Sequence, residues 1–178
     1  MPKIITISGK AENGKDFCAK ILKQKLENQN KKVMIIHYAD YLKFVAKQYF
    51  GWNGEKDEKG RSILQYVGTD LARKNYPDIW VNVVIMLIKA IFIDYDYILI
   101  PDCRFPNEVN RLLQEKLKTI TSKVIRLNYE NSLTPEQRLH PSETALDNFI
   151  FDYRLEAETG EENMTKVVDN FLKELNIQ

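Results

Sequence analysis

Between an apolar run, Ile4–Ser8, and a helical pattern carried by Phe17, Ile21, Leu22 and Leu26 lies the stretch SGKAENGKD. Its Gly9, Gly14 and Lys15 match G-x-x-x-x-G-K in a strand–loop–helix setting, and nothing else in the chain restricts the fold as tightly. The glycines permit a tight loop whose amides point inward, and the helix N-terminus behind it adds positive potential suited to phosphate oxygens. Lys15 is placed to reach the β- and γ-phosphates of a nucleotide. The next residue is Asp16, where a serine or threonine usually helps hold Mg²⁺. A carboxylate is also a hard oxygen ligand, directly or through water, and it also suits a helix start; both roles are open to Asp16.

The rest of the chain repeats the strand-then-helix rhythm. Val33–His37, Tyr97–Pro101, Lys123–Asn128 and a weaker Asp152–Ala157 read as further strands. Helical stripes follow: Leu42, Val45, Ala46 and Tyr49; then Ser62–Arg73; then Ile79–Ile93, apolar nearly all round and therefore expected to be buried. Asn107–Lys116, which Asn107 is expected to cap, and Glu161–Leu175 complete the set, and the polar run Gly51–Ser62 reads as an exposed loop. Such alternation implies right-handed crossovers and a parallel sheet covered on both faces, with ligands gathering at the carboxyl ends of the strands.

Polar groups do follow the strands. DYILIPDCRFPNE ends its apolar strand at Asp102, in the manner of a Walker B strand whose acid orients Mg²⁺, with Arg104 two residues on and able to grip an anion bidentately. A loop ion pair between them, or a turn opened by Asp102, is the plainer alternative. Cys103 reads as a small filler. Asp40 and Lys43 open the helix after the second strand, while Arg61, Gln65 and Thr69 fall at helical spacing beside Gly68, Asp70 and Arg73. That set suits a phosphorylated polar acceptor, although by spacing alone a solvated amphipathic helix is the better description. Arg138 and His140 lie beyond the fourth strand, where related folds carry a lid, and Ser142–Glu143–Thr144 begins a short helix.

A net charge of +1 over 178 residues gives no general attraction to nucleic acid or membrane, so binding must come from local sites. The longest apolar stretch is broken by Asn82 and Lys89 and is too short to span a bilayer, and the N-terminus lacks a signal-peptide layout. Two cysteines, Cys18 and Cys103, build no disulfide framework, which fits a reduced cytoplasmic protein.

Taken together, SGKAENGKD, HYADYLK, GWNGEKDEKGRSILQYVGTDLAR, ILIPDCRFPNE and HPSETALDNFIFDY, in order from Ser8 to Tyr153, resemble deoxynucleoside monophosphate kinases of the bacteriophage type. The GKD ending occurs in that group. The resemblance implies a three-layer α/β P-loop NTPase fold: one kinase domain over residues 1–178, a five-stranded parallel sheet flanked by helices, an acceptor-binding helical region at about 40–93 and a lid at about 129–145. It implies transfer of the γ-phosphoryl group of ATP, with Mg²⁺, to a deoxynucleoside 5′-monophosphate. Carried onto this chain, Gly9, Lys10, Ala11, Asn13, Gly14, Lys15, Asp16 and Phe17 bind the ATP phosphates. Asp40, Lys43, Arg61, Gln65, Gly68, Thr69, Asp70 and Trp80 shape the monophosphate site. Lys15, Asp102, Arg104 and Arg138 are the catalytic set, Asp16 and Asp102 the metal ligands, and Ser142–Leu146 closes near the donor. It further implies a cytoplasmic monomer or homodimer, in a host cytoplasm if phage-encoded, with no nucleic-acid polymer or membrane as partner. SGKAENGKDF and SETALDNFIFDY also resemble phosphomevalonate kinase of the animal type, and a regulatory NTP-binding switch is a third expectation. Tyr38, Tyr41, Phe44, Trp52, Tyr66 and Trp80 are candidates either to stack on a base or to fill the core.

Overall fold

A computed structural model describes residues 1–176. Five strands, β1 (Lys3–Ser8), β2 (Val33–Ile35), β3 (Tyr97–Cys103), β4 (Thr119–Arg126) and β5 (Tyr153–Ala157), form one parallel sheet in the order β2-β3-β1-β4-β5. Side-chain alternation sorts the strand residues into two cores. Ile5, Ile7, Leu99, Val124 and Leu155 face α1 (Lys15–Glu27) and the last helix, meeting Cys18, Leu22, Leu26, Val168 and Phe171. Ile4, Ile98 and Ile100 face the other way, onto Trp80, Val81, Val84, Ile88, Val109 and Leu112. The result is the expected three-layer α/β arrangement, with both faces of the sheet covered.

The remaining helices are α2 (Ala39–Tyr49), α3 (Glu58–Gln65), α4 (Ile79–Ala90), α5 (Pro106–Gln114), α6 (Pro135–Leu139), α7 (Pro141–Thr144) and α8 (Glu161–Glu174). Beyond Gln65, α3 runs on as a π-helical segment, Tyr66–Arg73.

Several elements differ from the sequence expectation. The run Gly51–Ser62 is largely exposed, as expected, but from Glu58 it is the start of α3 rather than loop. Asp57 caps α3 by accepting the Gly60 amide at 2.7 Å, and the buried Trp52 donates its indole N–H to Glu55 O at 2.7 Å. The helix over Ile79–Ala90 is not buried all round. It covers only one face of the sheet, so Met86 is 60% exposed although Val81 and Ile88 are fully packed. Strand β4 begins four residues before Lys123, because polar Thr119–Ser122 pair with β1 and Ser122 Oγ donates to Thr6 O at 3.0 Å. Asn107 does not cap α5. It sits inside the first turn and donates to Pro77 O and Asp78 Oδ1 instead. Finally, β3 continues past Pro101, which lacks an amide hydrogen, and the β1–β3 register shifts between Thr6 and Ser8 to absorb it.

Candidate active site

The loop between β1 and α1 turns with positive φ at Gly9 (145°), Glu12 (63°) and Gly14 (85°). A side chain at Gly9 is excluded twice over, since its Cβ would stand 2.5 Å from Val124 O. Within the loop, Lys15 Nζ donates to Lys10 O at 2.7 Å and Asn13 Nδ2 to Val124 O at 3.3 Å. Lys15 is 7% exposed; burial and the neighbouring Arg104 charge push its pKa down to about 7, against the pull of Glu143, Asp16 and Asp102. A buried ammonium with a single hydrogen bond is a donor short of acceptors.

This loop forms one wall of a cavity of about 320 Å³. Ala11, Lys15 and Asp16 line it on the loop side, and Lys43, Arg61, Gln65, Gly68, Thr69 and Trp80 from α2, α3 and the elements after them. Asp102 and Arg104, at the carboxyl end of β3, complete the floor. Leu42, Leu64 and Phe105 add apolar surface beside them.

Not every expected residue is there. Asp40 is outside the lining; it accepts the His37 amide at 3.1 Å and faces Lys43 at 3.4 Å. Asp70 is largely exposed, 3.8 Å from His140 Nε2. Phe17 is 38% exposed on the outer side of α1, and Gly9 and Lys10 line a much smaller recess beside Arg104 and Asp147. Arg138 spends its guanidinium on Leu133 O (3.1 Å) and Asn131 O (2.8 Å), bracing its own segment. Of the six aromatic candidates, Tyr38, Trp52 and Trp80 are buried. Trp80 donates its indole N–H to Gly68 O at 3.0 Å and so braces the π-helical segment while it lines the cavity.

His37, placed by the end of β2, lies between two carboxylates, with Nε2 2.9 Å from Asp16 and Nδ1 3.4 Å from Asp40. Burial alone would lower its pKa, but hydrogen bonds to both aspartates and the charge of Asp102 outweigh it and hold His37 up at about 9. The same hydrogen bond keeps Asp16 below the usual carboxylate range. Asp102 accepts the amides of Tyr38 and Ala39, one on each oxygen, both at 2.9 Å. It therefore ties β3 to the start of α2.

Mg²⁺ beside phosphates needs few protein ligands, one or two carboxylates sufficing. Asp16 fits: its carboxylate opens onto the cavity and leaves an oxygen beyond the one that meets His37. Asp102, engaged on both oxygens, fits as a support behind it. Among the described residues no group of three or more histidine, cysteine, aspartate or glutamate side chains is arranged to hold a metal by itself.

Besides His37, three acidic residues of the site were not singled out by their spacing. Glu143 inserts from α7 against the loop. Its carboxylate accepts the Ala11 amide at 2.9 Å and ion-pairs with Arg104, while its carbonyl accepts from Lys10 Nζ. Glu108 is fully buried, accepts the amides of Arg104 (2.6 Å) and Phe105 (3.0 Å), and pairs with Arg73, whose guanidinium lies 4.1 Å above the Phe105 ring. Burial raises the Glu108 pKa, and Arg73 opposes that. The signal was present in FPNE, since proline at the first helical position followed by glutamate at the third marks a helix start. Glu12 and Glu143 carried no such signal, because each meets partners distant in the chain, from 39 to 132 residues away.

No family model matches the sequence, and no curated protein does. Solved structures do resemble it. APS kinase CysC from Mycobacterium tuberculosis, in complex with AMPPNP and APS, is 10% identical over 97% of this chain and 98% of that one, with a TM-score of 0.52. A shikimate kinase from Bacteroides thetaiotaomicron is 11% identical over 98% of both chains (TM-score 0.53). A sugar kinase from Janibacter sp. HTCC2649 is 12% identical over 99% of this chain and 96% of that one (TM-score 0.55). At such identities the likeness establishes the fold, which this chain shares with those kinases.

Proposed function

We propose that this chain transfers the γ-phosphoryl group of ATP to a deoxynucleoside 5′-monophosphate, releasing ADP and the diphosphate. The observation that carries the proposal is that one cavity joins the phosphate loop to a second set of anion-binding and polar groups, Lys43, Arg61, Gln65 and Thr69. A simple NTPase needs only the first. The motif resemblance between Ser8 and Tyr153 supports a deoxynucleotide as the acceptor, and the apolar wall of Leu42, Leu64 and Phe105 suits a base. The APS kinase of the same fold was solved with AMPPNP and APS together.

In this reading Gly9–Asp16 hold the donor phosphates and Lys15 neutralises the transferred group. Arg104 steadies charge from the β3 side, and Arg61 and Lys43 receive the acceptor phosphate. Mg²⁺, held through Asp16, supplies charge neutralisation and orientation of phosphate oxygens. Catalysis is then mostly positioning and electrostatics, with no strong general base required. Arg138 fits a brace of its own segment better than a phosphate contact, given where its guanidinium is spent.

The test is ADP release with ATP and Mg²⁺, each deoxynucleoside monophosphate being supplied in turn and phosphomevalonate separately. Turnover with a deoxynucleotide supports the proposal and reveals the preferred base. Turnover only with phosphomevalonate moves the chain to that chemistry. ATP binding without any acceptor-dependent turnover makes it a nucleotide switch.

A further inference from the structure

Glu12 occupies a position that the phosphate-loop pattern leaves unspecified, yet its carboxylate is the most heavily engaged in the site. Arg61 Nη2 donates to it at 3.1 Å, Tyr129 OH at 2.7 Å and the Ser132 amide at 3.0 Å, and the Ser132 hydroxyl adds a fourth bond. These donors come from two regions far apart in sequence, α3 and the segment following β4. The loop itself does not use this carboxylate, since its own side-chain contacts run from Lys15 to Lys10 O and from Asn13 to Val124 O. Arg61 does depend on it. Its Nε is committed to Lys56 O at 2.9 Å and its Nη2 to Glu12. Among the described residues Nη1 has no partner, and Arg61 lines the cavity.

We infer that Glu12 is a positioning residue of the acceptor site, holding one edge of the Arg61 guanidinium so that the other is presented to the acceptor's phosphate. The inference rests on the proposed phosphoryl transfer. The guanidinium is planar, so fixing one edge orients the remaining N–H groups. A long side chain held in its binding geometry before the ligand arrives loses less entropy on binding. Through Tyr129 and Ser132 the same carboxylate sets the segment beyond β4 relative to the loop, so one side chain relates three parts of the site.

Charge alone predicts the opposite effect, and this makes the inference testable. Removing Glu12 leaves Arg61 uncompensated, which by Coulomb attraction would strengthen anion binding; preorganisation predicts weaker binding. Glu12→Gln is compared with wild type in steady state, varying the preferred deoxynucleoside monophosphate at saturating ATP and then ATP at saturating acceptor. The expected result is an acceptor KM raised about tenfold, with the KM for ATP changed less than about twofold. In an Arg61→Lys background, Glu12→Gln should add less than about twofold, because the fork it orients is gone. Glu12→Asp, one methylene shorter and still charged, is the second variant should the glutamine protein not fold, and the same split is expected. A folded variant whose acceptor KM is unchanged or lower, or whose two KM values rise together, overturns the inference while leaving the proposed function intact. A wild-type protein that turns over no deoxynucleotide overturns both.

Discussion

Replacing Glu108 with alanine removes a carboxylate that is fully buried and has three donors around it: the Arg104 and Phe105 amides and the Arg73 guanidinium. Deleting one partner of a buried ion pair costs about 3–5 kcal/mol, because the remaining charge keeps its desolvation penalty without compensation. The two amides lose their acceptor as well, at about 1–3 kcal/mol each, but water entering the vacated space offsets part of this and the terms do not add. A net loss of about 3–5 kcal/mol is therefore expected. At about 2–4 °C per kcal/mol for a chain of this size, the melting temperature should fall by roughly 6–20 °C. Glu108→Gln keeps the shape and an amide-accepting oxygen, so its cost should be about 1–3 kcal/mol. Urea unfolding followed by far-ultraviolet circular dichroism, with equal m-values, measures both. A loss below about 1 kcal/mol for the alanine variant, or equal losses for alanine and glutamine, would refute the reasoning. The first result would mean that the pair is worth nothing, and the second that the shape and acceptor oxygen kept by glutamine contribute nothing, the whole loss coming from the charge that both variants remove.

Three further outcomes follow from individual residues. Gly9→Ala forces a methyl group to within 2.5 Å of Val124 O at a φ of 145°, so ATP binding should be lost and stability should drop by at least about 1–3 kcal/mol, read by nucleotide titration and thermal melting. Lys15, held at about 7 by burial, should take up a proton when phosphates arrive. ATP affinity is then greatest below pH 7 and falls as pH rises above it, by at most about tenfold per unit, and Lys15→Met should abolish the trend in calorimetry across buffers. The Glu12 pKa is held at about 2, chiefly by the Ser132 and Tyr129 hydroxyls, well below its ordinary 4.5. Its depressed pKa means its stabilisation is complete above about 4.5 and lost as pH falls towards 2. Glu12→Gln should therefore unfold with a shallower pH dependence across that window.

Much of the framework was readable from residues close together in the chain. The short apolar runs Ile4–Ser8 and Tyr97–Pro101 and the stripes of α1 and α8 are local patterns, and they produced the layers and the parallel sheet. The loop Gly9–Lys15 was legible for the same reason, because its geometry is specified within seven residues by glycine at the turns and a strand and helix on either side. Errors arose where a distant partner overrode local character. Polar Thr119–Ser122 became strand because β1 supplied the ladder, and Met86 stayed exposed because α4 covers only one face of the sheet. The π-helical winding of Tyr66–Arg73, with Trp80 braced on Gly68, has no local signal at all.

The sequence by itself determined the sheet, the phosphate loop and the candidates after each strand, since backbone conformation and burial periodicity are set over a few residues. Only the tertiary structure decided which candidates share a cavity and in what electrostatic state. It brought Arg61 to the loop through Glu12, turned Arg138 onto its own carbonyls, and set Glu143 on Ala11 and Arg104. Hydrogen bonds and charge interactions act over a few ångströms whatever the chain separation, so which side chains and carbonyls pair is settled only when the chain has folded.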